Sequence, residues 1–466
     1  ITMYLVSNAI IIPITGWLSR YFGRKAYLNF SIALFTASSL MCGLAWNIQS
    51  LIVFRVFQGL GGGALQPISQ SILLETFPPR LHGVAMAFFG IGIMFGPIVG
   101  PVLGGVITDY WSWHWIFFIN IPFGIISIFM TVFVIKDPPY MKKTKMKLDY
   151  PGLLLVALGL GSLQVILDQG QREDWFASSM ISWLTLVSAL SLALFLVIEW
   201  RTKEPVIDLK VFKNISFSVG NVVMFFAFFN LFGSIVLLPI YLQTLMGYTA
   251  TLAGLVLGPG GFSSIIALAL AGRLVTRVNP KWLLVFGICT AAFSTYMMSF
   301  FNLSADFSTV MWPRIVLGLG MGFIFIPLTN LTLSIISKEG MGNATALFNL
   351  IRNLGGSFGI AFVTTILARR AQFHQSNLVA HLTPFDTTYQ VAVEKLKAFF
   401  HMRGFPESMV KAAADGTIYQ NLIKQATMIA FNDTFWLMCL LLVATLPLIL
   451  LFKRPRHGEH HVEHML

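Results

Sequence analysis

Long apolar runs with almost no charge recur from one end of this chain to the other, and nothing else constrains its fold as strongly. A run of about 18 or more such residues can cross a bilayer as a helix. Strands of a membrane barrel would alternate polar and apolar residues with period two, and these runs do not. Of the 466 residues, 56% are hydrophobic and 11% charged, with a mean hydropathy of +0.76. A soluble domain carries about 25% charge. The expectation is an all-α, polytopic membrane protein. Thirteen spans are expected, at 1–19, 26–45, 50–74, 83–108, 113–135, 151–167, 178–199, 217–245, 250–272, 281–301, 309–336, 342–368 and 429–452.

Basic residues orient these spans. The connections after odd-numbered spans hold 20 Lys and Arg, with Lys281 counted in its loop; the short connections after even-numbered spans hold one, Arg172. By the positive-inside rule, odd spans end in the cytoplasm. The chain then also ends there, at "LFKRPRHGEHHVEHML", and starts on the outer side. The simplest account is one further helix upstream, making fourteen with both termini cytoplasmic. No secretory signal peptide is visible. The net charge of +12 is scattered through loops, as an orientation signal is, so no nucleic-acid partner is expected. Cys42, Cys289 and Cys439 lie far apart in apolar runs, without metal or disulfide spacing. No metal and no cofactor are expected, and no Walker loop or HExxH helix is present to support ATP drive or an embedded enzyme. The histidines 457, 460, 461 and 464 read as a solvated tail.

The two halves of the chain repeat. An offset of 259 matches Arg55 with Arg314, Gly59 with Gly318, Gly61 with Gly320 and Gly63 with Gly322. It continues through Gly83 and Gly342, Gly96 and Gly355, and Gly100 and Gly359. The arginines stand eight spans apart, an even number, so the halves share one orientation. Parallel repeats of six helices describe the two bundles of a major-facilitator transporter. Two helices are then left over, most simply 151–167 and 178–199.

Three motifs carry a family resemblance: "GWLSRYFGRK" (16–25), "LIVFRVFQG" (51–59) and "GIMFGPIVGPVLGG" (92–105). They are similar to the loop motif, the helix-4 arginine motif and the antiporter motif of the fourteen-helix drug:proton antiporters of the major facilitator superfamily. "GSLQVILDQGQREDWF" (161–176) and "GYTATLAGL" (247–255) resemble segments of the EmrB-type multidrug exporters. The resemblance covers the chain from family helix 2 onward. It implies an N-terminal bundle at 1–135 and inserted helices within 136–216. A C-terminal bundle at 217–368, an extracytoplasmic segment at 369–428, and a last helix with its tail at 429–466 follow. It implies efflux of hydrophobic drugs or toxic compounds across the bacterial inner membrane, driven by protons. The alternative on the same fold is a transporter of an endogenous lipid or metabolite. Expected partners are hydrophobic drugs, protons, membrane lipid, an EmrA-like periplasmic adaptor and an outer-membrane channel. The family's loop motif usually has an acid where this chain has Ser19.

Within this frame, residues can be assigned roles. Gly16, Arg20, Gly23, Arg24 and Lys25 form the cytoplasmic loop gate. Gly92, Gly96, Gly100, Gly104 and Gly105 with Pro97 and Pro101 form the antiporter-motif hinge. Glycine costs a helix in water about 1 kcal/mol and proline about 3, but in lipid small residues let a neighbouring helix lie close. Arg55, a guanidinium inside a span, is expected at a cavity or a partner and is the first proton-coupling candidate. Arg314 either snorkels or does the same. Glu75, Asp109, Asp168 and Asp433 lie at span ends and read as solvated, with Asp433 the second proton-coupling candidate. The main acid is expected on the upstream helix. Gln66, Gln70, Asn221, Asn230, Tyr241, Gln243, Asn330, Asn349 and Arg352 are the candidates for the substrate cavity.

Overall fold

Helices follow one another through the computed structural model, which describes residues 2–78, 81–137, 149–202, 205–380, 382–383 and 385–452. At 97, 98, 101, 102 and 109 only the backbone is described. The histidine tail, and the side chains of Pro97, Pro101 and Asp109, lie outside the described residues. The helices are α1 Thr2–Phe22, α2 Arg24–Gly43, α3 Ile48–Thr76, α4 His82–Tyr110, α5 Trp115–Phe118, α6 Asn120–Val134, α7 Tyr150–Gln169 and α8 Ser179–Arg201. They continue as α9 Ile215–Ile240, α10 Ala250–Leu274, α11 Pro280–Met298, α12 Phe307–Leu333, α13 Met341–Val379, α14 Thr387–Met402 and α15 Glu407–Val443. Twelve of the described spans are long and apolar enough to cross a membrane, with α5 and α6 together making one. The helix α4 runs 29 residues; its apolar part with described side chains is His82–Gly96.

Local chemistry sets the helix starts. Asn47 caps α3 and Ser50 answers it, a reciprocal capping box. Asp149, Asn214, Thr249, Asn279, Asp306 and Asp386 cap α7, α9, α10, α11, α12 and α14. At Asp306 the hydrogen bonds from Thr309 and Ser308 hold the carboxyl below its usual range. Gly23 turns the chain between α1 and α2 at φ 90°, a left-handed conformation in which a side chain is strained.

Two helices run past the edges read from hydropathy. The helix α13 does not stop at 368 but continues to Val379, and α15 starts at Glu407 rather than 429. Arg369 is paired with Asp174 beyond α7 and Arg370 with Asp433 of α15, so α13 need not end where the charge begins. Arg370 Nε donates to Asp433 Oδ2 at 2.6 Å.

The repeat is visible as packing. A Cβ at Gly61 would stand 2.6 Å from Phe35 N of α2; one at Gly320 would stand 2.6 Å from Ala291 N of α11. Gly59 lies against Tyr4 O of α1, and Gly318 against Gly260 O of α10. Gly63 lies against Ile11 and Asn8 of α1, and Gly322 against Ala267 and Leu268 of α10. Thus α3 rests on α1 and α2 as α12 rests on α10 and α11. The inserted helix α7 packs on α1 and on α13, and α8 packs on α7. Exposed Phe88, Phe262, Trp282 and Phe293 cover the outer faces, as lipid contact requires.

The halves meet at the end of the bundle that holds residues 20–25, here called the basic end. A Cβ at Gly16 would stand 2.9 Å from Asn343 Cα, and one at Gly83 would stand 2.7 Å from Gly272 O. Filling a backbone-to-backbone contact forces helices apart at about 1–3 kcal/mol. Gly61→Ala and Gly320→Ala should each lower stability by that amount, measured by thermal unfolding in detergent. Gly258→Ala, where a Cβ meets nothing within 4 Å, should be neutral or stabilising.

Candidate functional site

A chamber of about 250 Å³ opens where α1, α3, α7, α9 and α13 converge. Tyr4, Asn8, Gln66, Gln164, Asn353 and Ser357 give it polar atoms, and Leu5, Phe232, Leu350, Leu354 and Ile360 an apolar wall. Such a mixture, mostly apolar with a few polar groups, is what small-molecule sites show. The inserted helix takes part: Ser357 Oγ donates to Gln164 Oε1 at 3.0 Å.

Arg352 is not on the chamber wall. It is 2% exposed, and its Nη2 donates to the oxygen of Gln66, which is on the wall. Its guanidinium lies 5.4 Å from the Phe228 ring. Among the described residues its Nη1 has no hydrogen-bond partner. One turn earlier, Asn349 Nδ2 donates to Gln70 Oε1 at 2.6 Å. Gln66 and Gln70 belong to one half, Asn349 and Arg352 to the other, so these two bonds cross the seam between the halves.

The other cavity candidates lie elsewhere. Asn221 bonds back to Phe217 O at 2.8 Å along its own helix. Asn230 reaches Met438 O on α15 at 3.3 Å. Tyr241 donates to Asn302 O at 2.7 Å and stacks on Phe301. Gln243 is exposed, in a π-turn after α9, and Asn330 is half-buried on α12, away from the chamber. None of these five residues lines the chamber. Tyr4, Asn8, Gln164 and Ser357 were not singled out from sequence. Gln164 had a signal, an amide in the middle of an otherwise apolar helix.

At the basic end, Arg24 is buried and paired with Glu75 of α3, both side chains under 5% exposed. Glu75 is thus not a solvated helix end; it supplies the acid that the loop lacks at Ser19. Ser19 Oγ instead donates to Gly16 O at 2.9 Å. Lys25 donates through N to Asp137 at 2.9 Å and through Nζ to Val132 O at 2.6 Å, tying the loop to the end of α6. Arg20 is half-buried near Asp208.

Arg55 lies over the rings of Phe117 at 4.7 Å and Tyr4 at 5.6 Å and donates to Gln58 at 3.1 Å. It borders a cleft of about 590 Å³ with Thr2, Met3, Gln169 and Met180. Asp433 sits apart from it, between Arg370 and His374, whose Nε2 is 2.7 Å away. Arg314 does not snorkel: it is 7% exposed and donates to Ser234 at 3.0 Å.

The glycine groove expected to cradle a neighbour is open. Among the described residues, a Cβ at Gly92, Gly96, Gly100, Gly104 or Gly105 would meet nothing within 4 Å. Their repeat partners are filled: Gly355 and Gly359 lie against Phe225 O and Phe229 O of α9. Among the described residues α9 has no counterpart in the first half, which is the physical reason for the open groove. The close approach of α4 to the other half is made by Gly83 and Gly90 instead.

Removing one member of a buried ion pair strands the other, at about 3–5 kcal/mol. Arg24→Ala and Glu75→Ala should each destabilise by that order in denaturant unfolding. The double variant should cost clearly less than the two together.

Residues 1–360 match the family model of the Major Facilitator Superfamily. The chain is 35% identical to the multidrug export protein EmrB of Escherichia coli (strain K12), over 98% of this chain and 87% of that protein. It is 35% identical to the fatty acid resistance protein FarB of Neisseria gonorrhoeae, over 98% of this chain and 89% of that protein. With EmrB of Haemophilus influenzae the identity is 36%, over 99% of this chain and 89% of that protein. The crystal structure of the human organic anion transporter MFSD10 superposes with a TM-score of 0.59 at 12% identity, covering 95% of this chain and 82% of that one; this likeness concerns the fold alone. With two repeated bundles, a chamber at their seam and relatives of this kind along its whole length, the chain belongs to the Major Facilitator Superfamily, as an EmrB-type multidrug exporter.

Proposed function

We propose that the chain exports hydrophobic small molecules across the bacterial inner membrane in exchange for protons, by rocking its two halves about the mid-membrane chamber. The observation that carries this reading is the Arg352 guanidinium. It is buried at the seam of the halves, held against the chamber by Gln66, with Nη1 unpaired among the described residues. An uncompensated charge inside a membrane is expensive and marks a pathway. A cargo with an apolar body and an acidic or strongly accepting head would suit both the apolar wall and this charge. The name of the FarB relative, a fatty acid resistance protein, fits such a cargo. For proton handling, Asp433 with His374 and Arg370 is the titratable cluster joining α13 to α15, while Arg55 has rings and an amide around it. The exposed Phe385 and Met402, at either end of α14, offer an apolar surface to a periplasmic adaptor.

Hydrogen bonds to a charged group contribute about 1.5–3 kcal/mol. Arg352→Met removes the charge held behind Gln66 and should lower pH-gradient-driven export of an acidic amphiphile by about tenfold or more in proteoliposomes, with retained helix content and a monodisperse elution as the control for folding. Equal export by the variant, or export indifferent to the pH gradient, would sink the reading.

A second prediction concerns the open groove on α4. Gly96→Leu and Gly100→Leu would fill this groove. If the groove closes on a neighbour during each cycle, export should fall to background in the same preparation. Intact export would show the groove to be idle.

A further inference from the structure

The inserted helices meet the basic end of the bundle at two carboxyl groups that no step above employs. Asp149 caps α7, its Oδ1 accepting from Gly152 N at 3.0 Å. Glu199, in the last turn of α8, is 1% exposed, and its Oε1 accepts from Ile207 N at 2.5 Å. The remaining oxygens, Asp149 Oδ2 and Glu199 Oε2, are buried and have no donor among the described residues. They close on one another over Gly152, where a Cβ would stand 2.6 Å from Asp149 Oδ2 and 2.9 Å from Glu199 Oε2.

Two ionised carboxylates do not share such a space, because like charges out of water force one to keep its proton. One proton turns the two orphaned acceptors into a hydrogen bond. Among the described residues, the charged groups on the surrounding elements do not replace it. Arg20 on α1 faces Asp208. Asp208 caps Lys210 N, Arg201 is exposed, and Lys213 lies over the Trp200 ring.

The pair is fastened to the seam between the halves. Glu199 holds Ile207; next to it, Asp208 N donates to Asn343 Oδ1 at 3.1 Å, and Asn343 Nδ2 returns a bond to Asp208 O at 2.9 Å. Asn343 opens α13 and lies against Gly16 of α1. We propose that Asp149 and Glu199 form a proton-binding site outside the chamber, holding one proton between two carboxyls and thereby clamping the 205–209 linker to the closed seam. The site stands on its own geometry, whatever the cargo. Its sign follows from charge: the clamp is held while the two carboxyls share their proton. That hold is lost as pH rises through the titration of the pair.

The test uses the full-length protein in lipid, as wild type, Glu199→Gln and Asp149→Asn. Either carboxamide can donate to the facing carboxylate and keep the backbone contact, so both variants mimic the protonated pair. Infrared spectroscopy should show a protonated-carboxyl band in the wild type at neutral pH that both variants lack. Amide exchange at Ile207 should speed up, beyond the intrinsic rate, by about tenfold per pH unit above the titration in the wild type, as one-proton linkage requires. In both variants it should stay protected. Absence of the band, a band unchanged in the variants, or the same pH profile at Ile207 in all three proteins would overturn the proposal.

Discussion

In lipid, two helices gain almost nothing by hiding apolar side chains from one another, so they must gain from nearness itself. The structure depends on that constraint. Wherever the halves of this exporter are internally solid, a glycine lets one backbone lie on another: Gly61 on Phe35 N, Gly320 on Ala291 N, Gly318 on Gly260 O. The same device closes the basic end, at Gly16 with Asn343 and Gly83 with Gly272. A contact made by missing side chains has no interlocking parts. It can be tight within a bundle, where several such contacts act together, and separable between bundles, where only a few do.

Polarity is sparse and therefore informative. Between the halves the chain places Gln66 with Arg352 and Gln70 with Asn349, each bond spanning the seam. Closer to the basic end it places Arg24 with Glu75. That pair shows how a motif can keep its chemistry while changing its residues. The loop position usually held by an acid is Ser19, and α3 supplies the carboxylate instead. Arg24 is thus neutralised from a neighbouring helix, and with Lys25 held at the end of α6 the loop is anchored to two helices rather than to itself.

What could be read from sequence follows from how local each signal is. The lipid-crossing runs, the orientation of the halves and the 259-residue repeat are carried by apolar length, the placement of basic residues and glycine spacing, all of which survive as plain patterns. Helix ends beyond the apolar runs were not legible. Arg370 and Asp433 look like stop signals until they are seen to pair across 63 positions. Glu75 looked solvated for the same reason, since its partner lies 51 positions away. Glu199 drew no notice as a single acid at a helix end; its meaning comes from Asp149 beyond an entire membrane hairpin. In the chamber, Gln66 was legible as an amide in a span, but Arg352 reaches the cavity only through it, which no spacing rule could foresee.

One helix passes all of these places. As a single α-helix of 39 residues, α13 extends about 58 Å. Its first turn sets Asn343 beside the linker, and it carries Asn349 and Arg352 behind the chamber, with Ser357 on its wall. It ends beyond His374 and the ion pair with α15. A stiff shaft of that kind cannot turn at one bearing and stay still at another. A few degrees of twist at Asn343 must reappear at Arg352 and at His374, so this machine has little freedom to open one door while ignoring the other.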